Sequence, residues 1–153
     1  MRITYNTRQY PTVFVNITNE EDENNTFYEA FMTYLEDQYK QKKHFHIFVD
    51  LEELTVPNLK LVPDYIKRIK VLKERSRQYL DYYLIFNQNA WFNKLLYMLW
   101  NMCSPLGTAY LINDKQIALT LLENLSNPSC SKEFINAYVV INEIEMVDTD
   151  WNE

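Results

Sequence analysis

The sequence predicts a single α/β domain: a central, mostly parallel sheet with helices on both faces. Three observations carry this. Apolar runs of strand length alternate with stretches of helical period along the whole chain. Two of those runs, Phe45-His-Ile-Phe-Val-Asp50 and Tyr82-Tyr-Leu-Ile-Phe-Asn87, do not alternate polar with apolar. Strands covered on both faces have that pattern. A length of 153 residues suits one domain and one sizeable core.

Each element follows in order. Arg2-Ile-Thr-Tyr-Asn6 is a short first strand, and Thr12-Val-Phe-Val-Asn-Ile17 a second that Pro11 introduces. The acidic stretch Asn19–Asn25 is a solvated loop. Thr26, with Glu29 three residues on, predicts a capping box for a first helix. Phe27, Phe31 and Leu35 recur at helical spacing there, joined by Tyr28, Met32 and Tyr39, and Gln41-Lys-Lys43 suits the negative end of the helix dipole. The third strand is Phe45–Asp50. A second helix is expected between Asn58 and Arg77, with Pro63 near its start and Val62, Tyr65, Ile66, Ile69 and Leu72 as its buried stripe.

Tyr82–Phe86 is the next strand and Trp91–Met102 a third, very apolar helix. Pro105-Leu-Gly107 breaks the chain before the strand Thr108–Ile112. Asp114 caps a last helix carrying Ile117, Ala118, Leu121, Leu122 and Leu125. Asn127-Pro-Ser129 is a turn and Ala137–Ile141 a further strand. The domain is expected to span 1–147, with 148–153 an acidic tail. Repeated strand–helix units imply parallel pairing with right-handed crossovers.

Composition excludes several functions. Gly107 is the only glycine, so no Gly-rich phosphate loop of the Walker or dinucleotide type can form. Asn must supply most left-handed turn positions. The Asn excess also suits an AT-rich genome such as that of a virus or protist, which would place the chain inside an infected host cell. A net charge of −6 argues against nucleic acid as partner. No apolar run reaches the ~20 residues of a transmembrane segment. Cys103 and Cys130 have no disulfide or metal spacing, and read as reduced thiols of a cytoplasmic protein. No cofactor is expected.

The candidate sites are few. His44 and His46 are two apart and share a strand face, but lack further ligands at metal spacing. Asp50, Glu52 and Glu53 sit at the carboxyl end of the central strand, where open α/β sheets often bind ligands. Without a nucleophile or oxyanion hole beside them, a loop start with capping carboxylates is the better reading. Lys70, Lys73 and Arg77 form a basic docking face on the second helix. Trp91, Phe92, Leu95, Leu96, Leu99 and Trp100 give the third helix more apolar surface than one buried face needs, as an interface or an apolar-ligand wall would require. Glu143, Glu145, Asp148 and Asp150, with Trp151 as anchor, resemble an acidic docking peptide.

Two strands, then helix–strand three times, then a helix is similar to the SpoIIAA-like arrangement shared by STAS and CRAL-TRIO domains. Phe48-Val-Asp-Leu-Glu-Glu-Leu-Thr55 resembles the CRAL-TRIO strand ending in an Asp-Leu-x-Gly-Leu-Ser pattern. Tyr83-Leu-Ile-Phe-Asn-Gln-Asn-Ala-Trp-Phe-Asn93, with Leu96, Trp100 and Ser104-Pro105, resembles that family's strand, Asn-Ala-Pro-Trp turn and long apolar helix. The resemblance covers residues 27 to 125 and is closest to the compact CRAL-TRIO branch; the N-terminal helical bundle of many members is absent. Val56-Pro-Asn-Leu59 lacks the serine of phosphoswitch STAS domains. What the resemblance implies is either a scaffold or a small lipid binder.

The sequence shows no catalytic constellation. The leading expectation is a non-enzymatic binding module acting through a protein partner, above all itself as a homo-oligomer. The alternative is a small lipid or apolar-ligand binder, which needs a cavity of roughly 300 Å³ or more between the third helix and the sheet. The bulky Phe, Tyr and Trp side chains predict that this space is filled.

Overall fold

The computed structural model describes residues 1–125, with side chains at all of these except Ala90 and Tyr97. The expected strand Ala137–Ile141, the boundary at 148, Cys130 and the acidic segment Glu143, Glu145, Asp148, Asp150 and Trp151 lie outside the described residues.

The elements run β1 (Arg2–Asn6), β2 (Thr12–Thr18), α1 (Thr26–Lys40), β3 (Phe45–Asp50), α2 (Val62–Lys73), β4 (Leu80–Phe86), α3 (Ala90–Met102), β5 (Thr108–Ile112) and α4 (Lys115–Leu125), with one 3-10 turn at Leu59–Leu61 before α2. The protein is α/β, with five strands in the spatial order β1-β2-β3-β4-β5. β1 is antiparallel to β2 and the other pairs are parallel. β3 and β4 are interior strands, as their unbroken apolar character requires.

One side of the sheet carries Val13, Val15, Ile47, Tyr83, Ile85, Ala109 and Leu111, packed with side chains of α1, α2 and α3. Successive crossovers of one hand, moving steadily across the sheet, place their helices on one face. The other side carries Phe48, Leu84, Phe86, Tyr110 and Ile112 beneath Ala118, Leu121 and Leu122 of α4.

Three local expectations change. The cap of α1 is Asp22 and not Thr26: its carboxylate accepts from the backbone N–H groups of Thr26, Phe27 and Tyr28 at 2.8–3.3 Å. Asn25, in the left-handed region at φ 54°, turns the chain so that Asp22 reaches back. The buried stripe of α1 is Tyr28, Met32, Leu35 and Tyr39, while Phe27 is exposed and interacts with Arg2. α2 ends at Lys73, where Gln78 folds back and donates to the carbonyls of Leu72 and Arg75 at 3.1 Å, so Arg77 lies beyond the helix.

α1 and α2 are joined by an ion cluster. The Arg68 guanidinium reaches Glu29 at 2.8 Å, Glu36 at 2.5 Å and Asp64 at 3.6 Å. Tyr28 donates to Asp64 at 2.8 Å. The paired carboxylates, Glu36 foremost, hold the guanidinium well above its ordinary pKa.

A candidate ligand cavity beneath α3

α3 begins at a turn built by asparagines. The buried Asn87 donates to the Asn93 side chain at 2.9 Å and accepts from the Asn89 N–H at 3.1 Å. Asn89 in turn caps the helix by accepting from the Trp91 N–H at 3.0 Å. The helix sets Phe92 and Trp100 into the core, 4% and 3% exposed, and leaves Leu95, Leu96 and Leu99 half-buried. Trp91, Met98 and Met102 are 57%, 56% and 60% exposed. The expected apolar set of α3 thus divides between interior and surface.

Between α3, α2, α1 and the sheet lies a cavity of about 430 Å³. The bulky side chains do not fill this space, contrary to the expectation from their size. Part of the reason is direction: Trp91 points out to solvent, and Tyr39 and Phe45 pack edge-to-face on each other. The walls are Leu95, Leu96 and Leu99 of α3, Tyr65 and Ile69 of α2, Met32 and Leu35 of α1, and Val15, Ile47, Tyr83 and Ile85 of the sheet. None of the described side chains that line it carries a formal charge; Asn58 is its one amide. Leu59, Met98 and Met102 line it while remaining largely exposed, so they form its rim.

Three tyrosines, Tyr28, Tyr65 and Tyr83, are among the lining residues. Burial pushes the pKa of Tyr65 and of Tyr83 well above the phenol's ordinary value, so both are neutral. The Tyr83 residue is 7% exposed. Its hydroxyl has essentially no accessible surface, and the Leu106 backbone and the Trp100 side chain approach it and oppose part of that rise.

The remaining candidates are not brought to the cavity. Of the basic face, Lys70 is exposed, while Lys73 folds onto Ser104, donating to its hydroxyl and to its carbonyl. Arg77 is exposed outside the helix, so the three cations do not share one helical face. Asp50 and Glu52 flank Lys115 at 3.5 and 3.4 Å, and Asp50 first, then Glu52, raise the pKa of that amine. Glu53 contributes its carbonyl to Asn19, whose amide oxygen also accepts from the N–H groups of Thr55 and Val56. His44 pairs with Asp81 at 2.9 Å in solvent. His46 is buried, hydrogen-bonded to Thr12 and stacked on Tyr82. Burial lowers its pKa, against a smaller opposing pull from Asp81. Among the described residues no group of His, Cys, Asp or Glu side chains is arranged to hold a metal, and no helix is long and apolar enough to cross a membrane.

The cavity itself was not predicted. The exposed Met98 and Met102, left over after the core positions of α3 are assigned, were the one sign of a rim in the sequence. No known protein family, curated protein or solved structure matches the chain.

Proposed function

We propose that this chain is a non-enzymatic α/β module that binds a small apolar ligand of lipid type between α3 and the sheet. The observation that carries the proposal is the cavity of about 430 Å³. It falls in the ~300–1,000 Å³ range of small-molecule sites. Its apolar, uncharged walls favour hydrocarbon, and the resemblance of the β4–α3 stretch to CRAL-TRIO domains is in keeping with such a ligand. A free hydrocarbon surface of this extent gains ~25 cal/mol for each Å² that a ligand covers.

A second reading, self-association, is supported by a different observation: Trp91, Met98 and Met102 stand on α3 with more than half of their surface exposed. Aromatic and Met side chains of this kind are enriched at contact surfaces. The two readings are compatible, since a copy seated on α3 would cover the cavity rim.

Native mass spectrometry of the full chain, with organic extraction of the same preparation, tests both. A monomer or dimer carrying extractable apolar ligand in excess of a control protein is the expected result. Extracts no richer than the control, with no uptake of added long-chain alcohols, would refute ligand binding. A strict monomer at high concentration would refute self-association.

A further inference from the structure

The methionines are placed unevenly, and their placement bears on what the cavity accepts. Four of the chain's five lie among the described residues, Met1, Met32, Met98 and Met102, and all four line the space beneath α3. The core on the other side of the sheet, built of Phe48, Leu84, Phe86, Ile112 and Leu121, has none among the described residues. Both cores are apolar, so apolar character alone does not produce this division.

The four also differ in depth. Met32, on α1, is fully buried and belongs to the inner wall. Met98 and Met102, one helical turn apart on α3, are largely exposed and stand at the mouth. A methionine side chain is unbranched, has three rotatable bonds and a polarizable sulfur, and so re-packs against different shapes at little cost. Branched side chains are stiffer, and the buried rings of Phe92 and Trp100 supply fixed wall. Fixed walls alone select one outline. Adjustable side chains both at depth and at the mouth let the wall follow its guest, and Met-rich surfaces are those that accept many partners. None of the described lining side chains carries a formal charge, so the grip on a guest is contact between hydrocarbon surfaces, which has no preferred direction.

We infer that the cavity is a broad-specificity site for aliphatic ligands, taking straight, bent and cyclic hydrocarbon of one size with similar affinity, and that Met32, Met98 and Met102 set this breadth. This inference rests on the ligand-binding reading above and adds the range of ligand shapes and the side chains responsible for it.

The test uses three alcohols of one carbon number and different shape: dodecanol, a cis-dodecenol and cyclododecanol. Each competes against an environment-sensitive dye on the full chain, and each affinity is corrected for the alcohol's own partition from water into octanol. On the wild type the corrected affinities are expected to lie within about fivefold, whereas a pocket of fixed shape separates ligands differing by a single methylene by ~10–200-fold. Two variants keep the volume and stiffen the side chain: Met32→Leu in the inner wall, and Met98→Leu combined with Met102→Leu at the mouth. At least one of them is expected to widen the spread beyond about tenfold. The mouth variant leaves the buried core untouched, and thermal melts of both check that the fold is kept. A wider spread on the wild type, or a spread that neither variant increases, would overturn the inference and leave the cavity reading standing. Failure of all three alcohols to displace the dye would refute the cavity reading, and this inference with it.

Discussion

Leu96→Trp asks whether the space beneath α3 is open in the free protein. Leu96 is half-buried and lines the cavity. In a packed core such an enlargement forces neighbours off their rotamers and costs ~1–3 kcal/mol. In an open cavity the added ring covers roughly 60 Å² of apolar surface, which at ~25 cal/mol per Å² contributes about 1.5 kcal/mol in the opposite direction. The sign of the change therefore discriminates. The size of the cavity makes the effect worth measuring. Urea melts of the free proteins give the first number. Thermal shifts give the second: an added long-chain alcohol at a hundred times its Kd should stabilise wild type by about 2.7 kcal/mol, some 5–10 °C. The expected result is a Leu96→Trp protein as stable as wild type or more so, with its ligand-induced shift abolished. A variant at least 1 kcal/mol less stable that keeps the full wild-type shift would refute the argument.

Four further outcomes are expected from the structure. Gly107→Ala should cost about 1–3 kcal/mol in urea melts, because a Cβ there meets the Leu80 carbonyl oxygen at 2.6 Å. Asp22→Ala should cost ~1–2 kcal/mol through loss of the α1 cap, whereas Thr26→Ala should change stability by less than about 0.5 kcal/mol. Arg68→Met should destabilise by roughly 2 kcal/mol, discounted for the exposure of its carboxylate partners, with part restored by adding Glu36→Gln. His46, its folded pKa depressed by burial, takes up a proton less readily when folded than when unfolded. Its contribution is complete above the unfolded value of ~6.5 and is lost as pH falls from there through the folded pKa. Urea melts from pH 7.5 to 5 should show that loss in wild type and a smaller one in His46→Gln.

The strands were legible because burial on two faces leaves a pattern no other element shares: Phe45–Asp50 and Tyr82–Phe86 read as interior strands, and they are β3 and the main part of β4. Asp114 was legible as a cap because it directly precedes the helical period, and it accepts from the Ile117 N–H at 3.0 Å. Asp22 was not, because its reach depends on the left-handed turn at Asn25. The end of α2 was missed because Gln78, a residue with no strong stop signal, supplies the closing hydrogen bonds. The cavity is the deepest miss. Side-chain volumes can be summed from a sequence, but the distance at which α3 stands from the sheet cannot.

The strand order has a consequence for how the molecule opens. Each strand–helix unit lies beside the one before it in the chain, and each parallel pair must wait for its crossover to close, which slows assembly of the sheet. At the far end of that spiral, β5 pairs with β4 alone among the described residues. The terminal unit of α3, β5 and α4 thus has a single strand pairing, along β4, and is otherwise held by α4 packing on β3 and β4 and by Phe92 and Trp100 of α3, with the void under part of it. Cooperative units that detach at small free-energy cost are found where packing is sparse. Amide exchange should decline from this unit toward β2 and β3, because each brief departure would open the space beneath α3 to solvent.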